Sequence, residues 1–431
     1  MKITLRYGRG GLDVRLPDKC EVSVFRTGEM PVIADPQGHV REAIKKPVSS
    51  PPLRELASGR QTACIVVSDI TRPVPNAILL PPILEALESA GICSERIRIL
   101  IATGIHRAST PEELKEMLGE GILSGYPITM HDSRNPCEIK RIGYTRRGTP
   151  IDINRLYVES ELKIVTGLVE PHFMAGYSGG GKSVAVGLTS VDAIRHLHGP
   201  ALLEHPNARN CVLSGNPLQE ELIEMAVRAG VDFCVNVVLD SARRIGGVFC
   251  GNLIEAHRGA CDFASRFCTL SVNRPFDIVL TTAGGYPLDT TYYQAVKGLV
   301  GALELVMPGG LIVLAAECCD GLGSDEFRQV LGKLGECATY AQFLEEISRP
   351  DNFVIDQWEV EMLVKALKRN KVSLFSAGIS QAEWPLTRAQ RLESLEDGLS
   401  LAITSIRKPC RLAVIPEGPY VIPRVQASET S

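Results

Sequence analysis

The stretch "GYSGGGKS" (176–183) poses the first chemical question. Gly176, Gly181, Lys182 and Ser183 spell the phosphate-loop pattern G-x-x-x-x-G-K-[ST]. Polar residues of the right types for catalysis surround it in sequence. "SDITRPVPN" (68–76) carries Asp69 and Arg72, "TGIHRAST" (103–110) carries His106, and "GLVEPHFMAGYSGGGKS" (167–183) carries His172 and Lys182. "HLHG" follows, with His196 and His198. Imidazoles titrate near neutral pH, which suits His106 and His172 to acid/base work. A guanidinium such as Arg72 presents a fork that matches a carboxylate. A lysine in a glycine-rich loop serves a phosphate, acts as a nucleophile, or anchors a group. The other histidines, His39, His131, His205 and His257, read as ordinary surface or core residues.

The elements that must position these residues are legible around them. "ACIVVSD" (63–69), "IRILIATG" (97–104) and "ELKIVTGLV" (161–169) read as buried strands. "TPEELKEMLG" reads as a capped helix, with Thr110 as N-cap, Pro111 at N1 and Glu113 at N3. Alternation of strands and helices predicts an α/β protein of two domains, with mostly parallel sheets flanked by helices. Ligands of such sheets bind at the carboxyl ends of strands, so the three clusters should meet in one cleft. "KITLRYG" and "LDVRLP" predict an opening hairpin. The pattern restarts near residue 272 with "FDIVLTTAGGYP", "TYYQAVKGLVGALELV" and "GGLIVLAAE". The division expected is 1–271 and 272–431, the last dozen residues forming a tail.

Against a true phosphate loop, "EPHFMA" separates the end of the strand at Val169 from Gly176, and Pro171 interrupts pairing. A strand carrying a magnesium-binding carboxylate is also not evident. Bulk properties exclude other classes. With 431 residues and a net charge of -4, no nucleic-acid partner is expected. No apolar run approaches a membrane span, and no signal peptide is read at the N-terminus. The 13 cysteines contain no C-x-x-C pair, which predicts buried thiols in a reducing, cytoplasmic setting.

"SDITRPVP", "TGIHRAST", "EPHFMAGYSGGGKS", "HLHG", "GGYPLDTTYYQAVKG" and "DQWEVEML" occur in this order over roughly residues 60 to 360. Together they resemble the nickel-pincer lactate racemase family. The resemblance implies a two-domain enzyme with its active site in the interdomain cleft. It implies a nickel-pincer nucleotide, the nickel form of pyridinium-3,5-bisthiocarboxylic acid mononucleotide. In the type enzyme this is joined to a lysine that matches Lys182, in the loop containing Gly180 and Gly181. It implies His198 as the nickel ligand, His106 and His172 as the acid/base pair, and reversible hydride transfer from a 2-hydroxy acid to the pyridinium. Arg72 and Lys297 match positions that meet the substrate carboxylate, with Tyr293 and Gln294 lining the site and Trp358 near the cofactor ring. Asp69 either organises the first loop or contacts the cofactor. The partners implied are a small 2-hydroxy acid and the cofactor-making enzymes, with oligomeric state open.

Family members act on lactate, on other 2-hydroxy acids and on sugar acids. Here the run after the lysine is "KSVAVGL", where many relatives carry proline-glycine. Two other readings compete. A phosphate-loop NTPase would hydrolyse nucleotide with magnesium. A non-catalytic nickel or cofactor carrier would not need His106, His172, Arg72 and Lys297 together.

Overall fold

In the computed structural model, residues 1–17, 20–406 and 409–425 are described. Their contacts divide the chain into two compact units. One comprises residues 29–198 and 204–266, the other residues 1–28, 199–203 and the chain from 267 onward.

Among the described residues, the unit of 29–198 and 204–266 is built on a six-stranded sheet. Its order is Ile245–Gly251, Phe233–Leu239, Leu162–Leu168, Ala63–Ser68, Ile97–Ala102, Ile128–Met130. All neighbours are parallel except the edge strand Ile245–Gly251, which runs antiparallel. The central strands are buried along nearly their whole length rather than on alternate residues. Helices on both faces demand that pattern. The three strands read from sequence are present and adjacent. Helix Pro111–Leu118 begins with the expected capping box, Thr110 accepting from Glu113 N–H while the Glu113 carboxylate accepts from Thr110 N–H.

The other unit holds a second six-stranded sheet, all parallel. Its order is Gln390–Arg391, Lys371–Phe375, Val306–Ala315, Phe276–Thr282, Cys410–Ile415, Cys20–Val24. Helices Tyr292–Ala302 and Gln357–Arg369 pack on each other beside it. The opening hairpin is present as Lys2–Leu5 against Leu12–Arg15. The contacts divide the chain at 266/267, and residues 1–28 group with the later part of the chain. Cys20–Val24 pairs with Cys410–Ile415, which ties the N-terminus to the later part of the chain. A strand pairing of such sequence separation has no local signal. Part of the expected tail is also ordered: Ile422–Val425 pairs with Thr269–Val272. The rest of that tail, 426–431, lies outside the described residues.

Gly298 lets helix Tyr292–Ala302 approach this sheet. A Cβ there would sit 2.4 Å from the Thr282 carbonyl oxygen. Glycine to alanine in an exposed helix normally stabilises. Here we expect Gly298→Ala to lower unfolding free energy by about 1–3 kcal/mol through overpacking. Chemical denaturation checks this, and an unchanged midpoint would contradict it.

Candidate functional site

The site grows from the carboxyl ends of three neighbouring strands. Ala63–Ser68 is the first strand of its sheet; the chain then adds strands on one side, and later strands on the other. Such a reversal leaves a crevice where loops diverge, the ordinary ligand position of an open α/β sheet. Asp69 and Arg72 follow Ala63–Ser68, His106 follows Ile97–Ala102, and Glu170 and His172 follow Leu162–Leu168. The three clusters therefore meet, as their places at strand ends predict.

Two side-chain contacts join them. His106 Nδ1 lies 2.6 Å from Asp69 Oδ2. The other Asp69 oxygen accepts from Thr71 N–H at 3.1 Å and from the Thr71 hydroxyl at 2.6 Å. Asp69 is buried, which by itself raises a carboxyl pKa. The hydrogen bond and charge of His106, then the Thr71 bonds, outweigh this and hold it below the usual carboxylate range. An ionised carboxylate on Nδ1 fixes the imidazole tautomer, with its lone pair on Nε2. Asp69 thus organises the first loop and orients His106. The second pair is Arg72 Nη1 to Glu170 Oε1 at 2.6 Å.

His172 is buried, and its Nδ1 accepts from Met174 and Ala175 N–H at 3.3 and 3.2 Å. These bonds turn Nε2 to Lys182, whose Nζ lies 2.5 Å away. "EPHFMA" makes this possible: Pro171–His172 pairs antiparallel with Gly176–Tyr177, so a tight hairpin stands between strand and glycine loop. Three of the loop's amides are bound within the protein. Gly180 N–H donates to Asn236 Oδ1, and Lys182 and Ser183 N–H donate to Gly179 and Gly180 carbonyls. The Ser183 hydroxyl donates to Thr166 O rather than facing a magnesium site. The glycines are demanded by packing: a Cβ on Gly180, where φ is +53°, would meet the His257 ring at 2.6 Å, and one on Gly181 the Leu222 carbonyl at 2.9 Å.

His198 closes helix Val191–Leu197, and its Nδ1 lies 3.1 Å from Ile194 O. A ring N–H donated to a carbonyl leaves Nε2 as a donor atom for a metal. Burial first, and then the charge of nearby Lys182, push His198 down to about 4, so it is neutral at pH 7. His196, two residues before, is exposed. Among the described residues no group of three or more His, Cys, Asp or Glu could hold a metal. A metal at His198 would therefore draw its remaining ligands from elsewhere.

The remaining expected residues lie in the other unit. Lys297 and Gln294 are bonded to each other on helix Tyr292–Ala302. Trp358 is buried, and its Nε1–H donates to Tyr293 Oη at 3.1 Å. The sequence singled out neither Glu170 nor Thr71, although each sits within a cluster already marked. Nor did it mark Asn236 and His257 as supports of the loop. His257 Nε2 lies 2.9 Å from Ser178 O, and His131 Nε2 lies 2.9 Å from Thr189 O. Both are buried and hydrogen-bonded. All 13 cysteines are free, and no helix among the described residues is long and apolar enough to cross a membrane.

Comparison with known proteins decides the family. A sequence model of the lactate racemase N-terminal domain matches residues 7–210, and one of the lactate racemase C-terminal domain matches residues 272–423. The chain belongs to the lactate racemase family. It is 34% identical over 424 residues to a lactate racemase from Thermoanaerobacterium thermosaccharolyticum, covering 98% of this chain and 99% of that protein. Identity to a lactate racemase from Lactiplantibacillus plantarum is also 34%, over 388 residues and 90% of each chain. The structure of the Thermoanaerobacterium lactate racemase apoprotein superposes with a TM-score of 0.91, covering 98% of this chain and all of that one. A Thermotoga maritima protein at 18% identity shares the fold, with a TM-score of 0.69 over 91% of this chain and 99% of that one. As a lactate racemase family member, the protein is an isomerase of the racemase type.

Burial holds His131 and His257, like His198, below the ordinary histidine value of 6.5. A depressed histidine contributes stability that is complete above its unfolded pKa and lost as pH falls toward the folded one. For the cofactor-free chain, we expect unfolding midpoints that are level above pH about 7 and fall steadily from about 6.5 toward 4. Thermal scans across that range test this; a level midpoint down to pH 5 would show that these rings protonate without penalty.

Proposed function

We propose that this protein interconverts the enantiomers of a 2-hydroxy acid, lactate or a close relative, using a nickel-pincer nucleotide held by Lys182 and His198. The observation that carries this reading is the Asp69–His106 pair beside Arg72 and His172, all on adjacent strand ends of one sheet.

The residues fit the cofactor. His198 offers one neutral imidazole donor, and the described chain offers no full set of metal ligands. A metal that brings its other donors on an organic ligand suits this arrangement. Lys182 stands at the start of a short helix in a loop locked from beneath, a fixed point for an anchored group. When bound, such a cofactor supplies a reversible hydride acceptor for C2 of the substrate, making a planar keto acid with two equivalent faces.

The chain supplies the proton chemistry. His106, held by Asp69, accepts the hydroxyl proton at Nε2, and the carboxylate stabilises the imidazolium that results. His172 exchanges a proton at its own Nε2 on the other face. Arg72 binds the substrate carboxylate; Lys297, Gln294, Tyr293 and Trp358, on the other unit, keep the substrate and cofactor roles that the family resemblance gives them. Thiols outside any disulfide, most of them buried or partly buried but Cys93, Cys137 and Cys319 exposed, suit a reducing compartment.

The decisive experiment is co-expression with the cofactor-making enzymes, followed by intact mass, nickel content and chiral assay of lactate. We expect added mass at Lys182, roughly one nickel per chain and racemisation of either enantiomer. A chain with neither nickel nor added mass from a functional pathway would refute the proposal. His198→Ala should lower nickel content, whereas His106→Ala should retain nickel and lose racemisation. Asp69→Asn should cut kcat by about a hundredfold or more with little change in KM, because His106 loses its fixed tautomer. An unchanged kcat would remove Asp69 from the mechanism.

A further inference from the structure

Glu170 opens the motif "EPHFMAGYSGGGKS" but is given no role by the resemblance, yet it holds the guanidinium assigned to the substrate. Its Oε1 takes Arg72 Nη1 at 2.6 Å, in a pair with side-chain exposures of 27% for Arg72 and 20% for Glu170. Arg72 Nε and Nη2 have no hydrogen-bond partner among the described residues. One corner of the fork is thus occupied by the protein, and the opposite edge remains for an incoming carboxylate. Without Glu170, an arginine on a loop samples several rotamers, and ordering it on binding costs free energy.

Glu170 is itself fixed at both backbone ends. Its N–H donates to the Ser178 hydroxyl at 3.0 Å, and its carbonyl accepts from Ser178 N–H at 3.0 Å. The Ser178 hydroxyl also donates to Leu168 O at 2.7 Å, and His257 Nε2 lies 2.9 Å from Ser178 O. Ser178 belongs to the glycine loop that carries Lys182. The carboxylate that steers Arg72 is thereby anchored to the segment that bears the lysine.

We propose that Glu170 is a positioning residue, aiming the free edge of Arg72 at the substrate carboxylate and tying that aim to the glycine loop. The inference rests on the proposed racemase function. It concerns binding geometry, so its signature is in KM more than in kcat.

Two substitutions separate aim from charge. Glu170→Gln and Glu170→Ala remove the same negative charge, but only glutamine keeps an oxygen for Arg72 Nη1. In cofactor-loaded enzyme assayed with lactate, E170A should show a KM about tenfold above that of E170Q, with a smaller difference in kcat. In an Arg72→Ala background the two substitutions should have equal KM values. Equal KM values of E170A and E170Q with Arg72 present would overturn the proposal. A tenfold difference that persists in the Arg72→Ala background would also overturn it, because the effect would not pass through Arg72. If E170A fails to fold, Glu170→Ser serves as the second variant, since its side chain is too short to reach Nη1. Wild-type loaded enzyme that racemises no 2-hydroxy acid would instead sink the racemase reading, and with it any substrate for Glu170 to position.

Discussion

The parallel pairing of Ala63–Ser68 with its two neighbours is the constraint on which the site depends. Its ladder to Ile97–Ala102 brings Ser68 level with Ala102, which sets Asp69 close to the loop bearing His106. Its ladder to Leu162–Leu168 sets the same loop beside Glu170. The Asp69–His106 and Arg72–Glu170 pairs span these two seams. Parallel strands place their carboxyl ends at one edge of the sheet. Groups separated by about 37 and 98 residues in sequence thus become hydrogen-bonded neighbours. The ladder is buried on both faces, so a register slip would expose apolar surface as well as break both pairs.

A second constraint is the support beneath the glycine loop. Asn236 and His257 hold its backbone from the neighbouring strand and helix, and Gly180 and Gly181 are the residues that allow such close approach. This gives the glycines of the phosphate-loop spelling a packing reason. A helix needs small residues to approach a backbone closely, whether or not an anion is bound there. Here the amides of Gly180, Lys182 and Ser183 are bound within the protein. The lysine is left on a rigid base with its amine directed to His172.

Much of this was legible from one sequence. The buried strands, the capping box at Thr110 and the clustering of polar residues at strand ends follow from local pattern, because burial and capping are set by a few neighbouring residues. The family resemblance rested on ordered motifs and was matched by sequence comparison over nearly the whole chain. The placement of residues 1–28 was not legible, since Cys20–Val24 finds its partner almost at the other end of the chain. Nor were the surroundings of His196 and His198: both lie at the end of one short helix, and packing leaves the first exposed and the second partly covered.

The sequence alone determined which chemical groups are available: two histidines, an arginine, a lysine in a glycine loop, and strands to hold them. It also determined the fold class, because strand and helix periodicities are local. Only the tertiary structure decided the partnerships. Asp69 with His106, Glu170 with Arg72 and His172 with Lys182 depend on strand order and loop packing. Hydrogen bonds reach only about 3 Å, so the partner of each group is settled by distances that no spacing along the chain encodes.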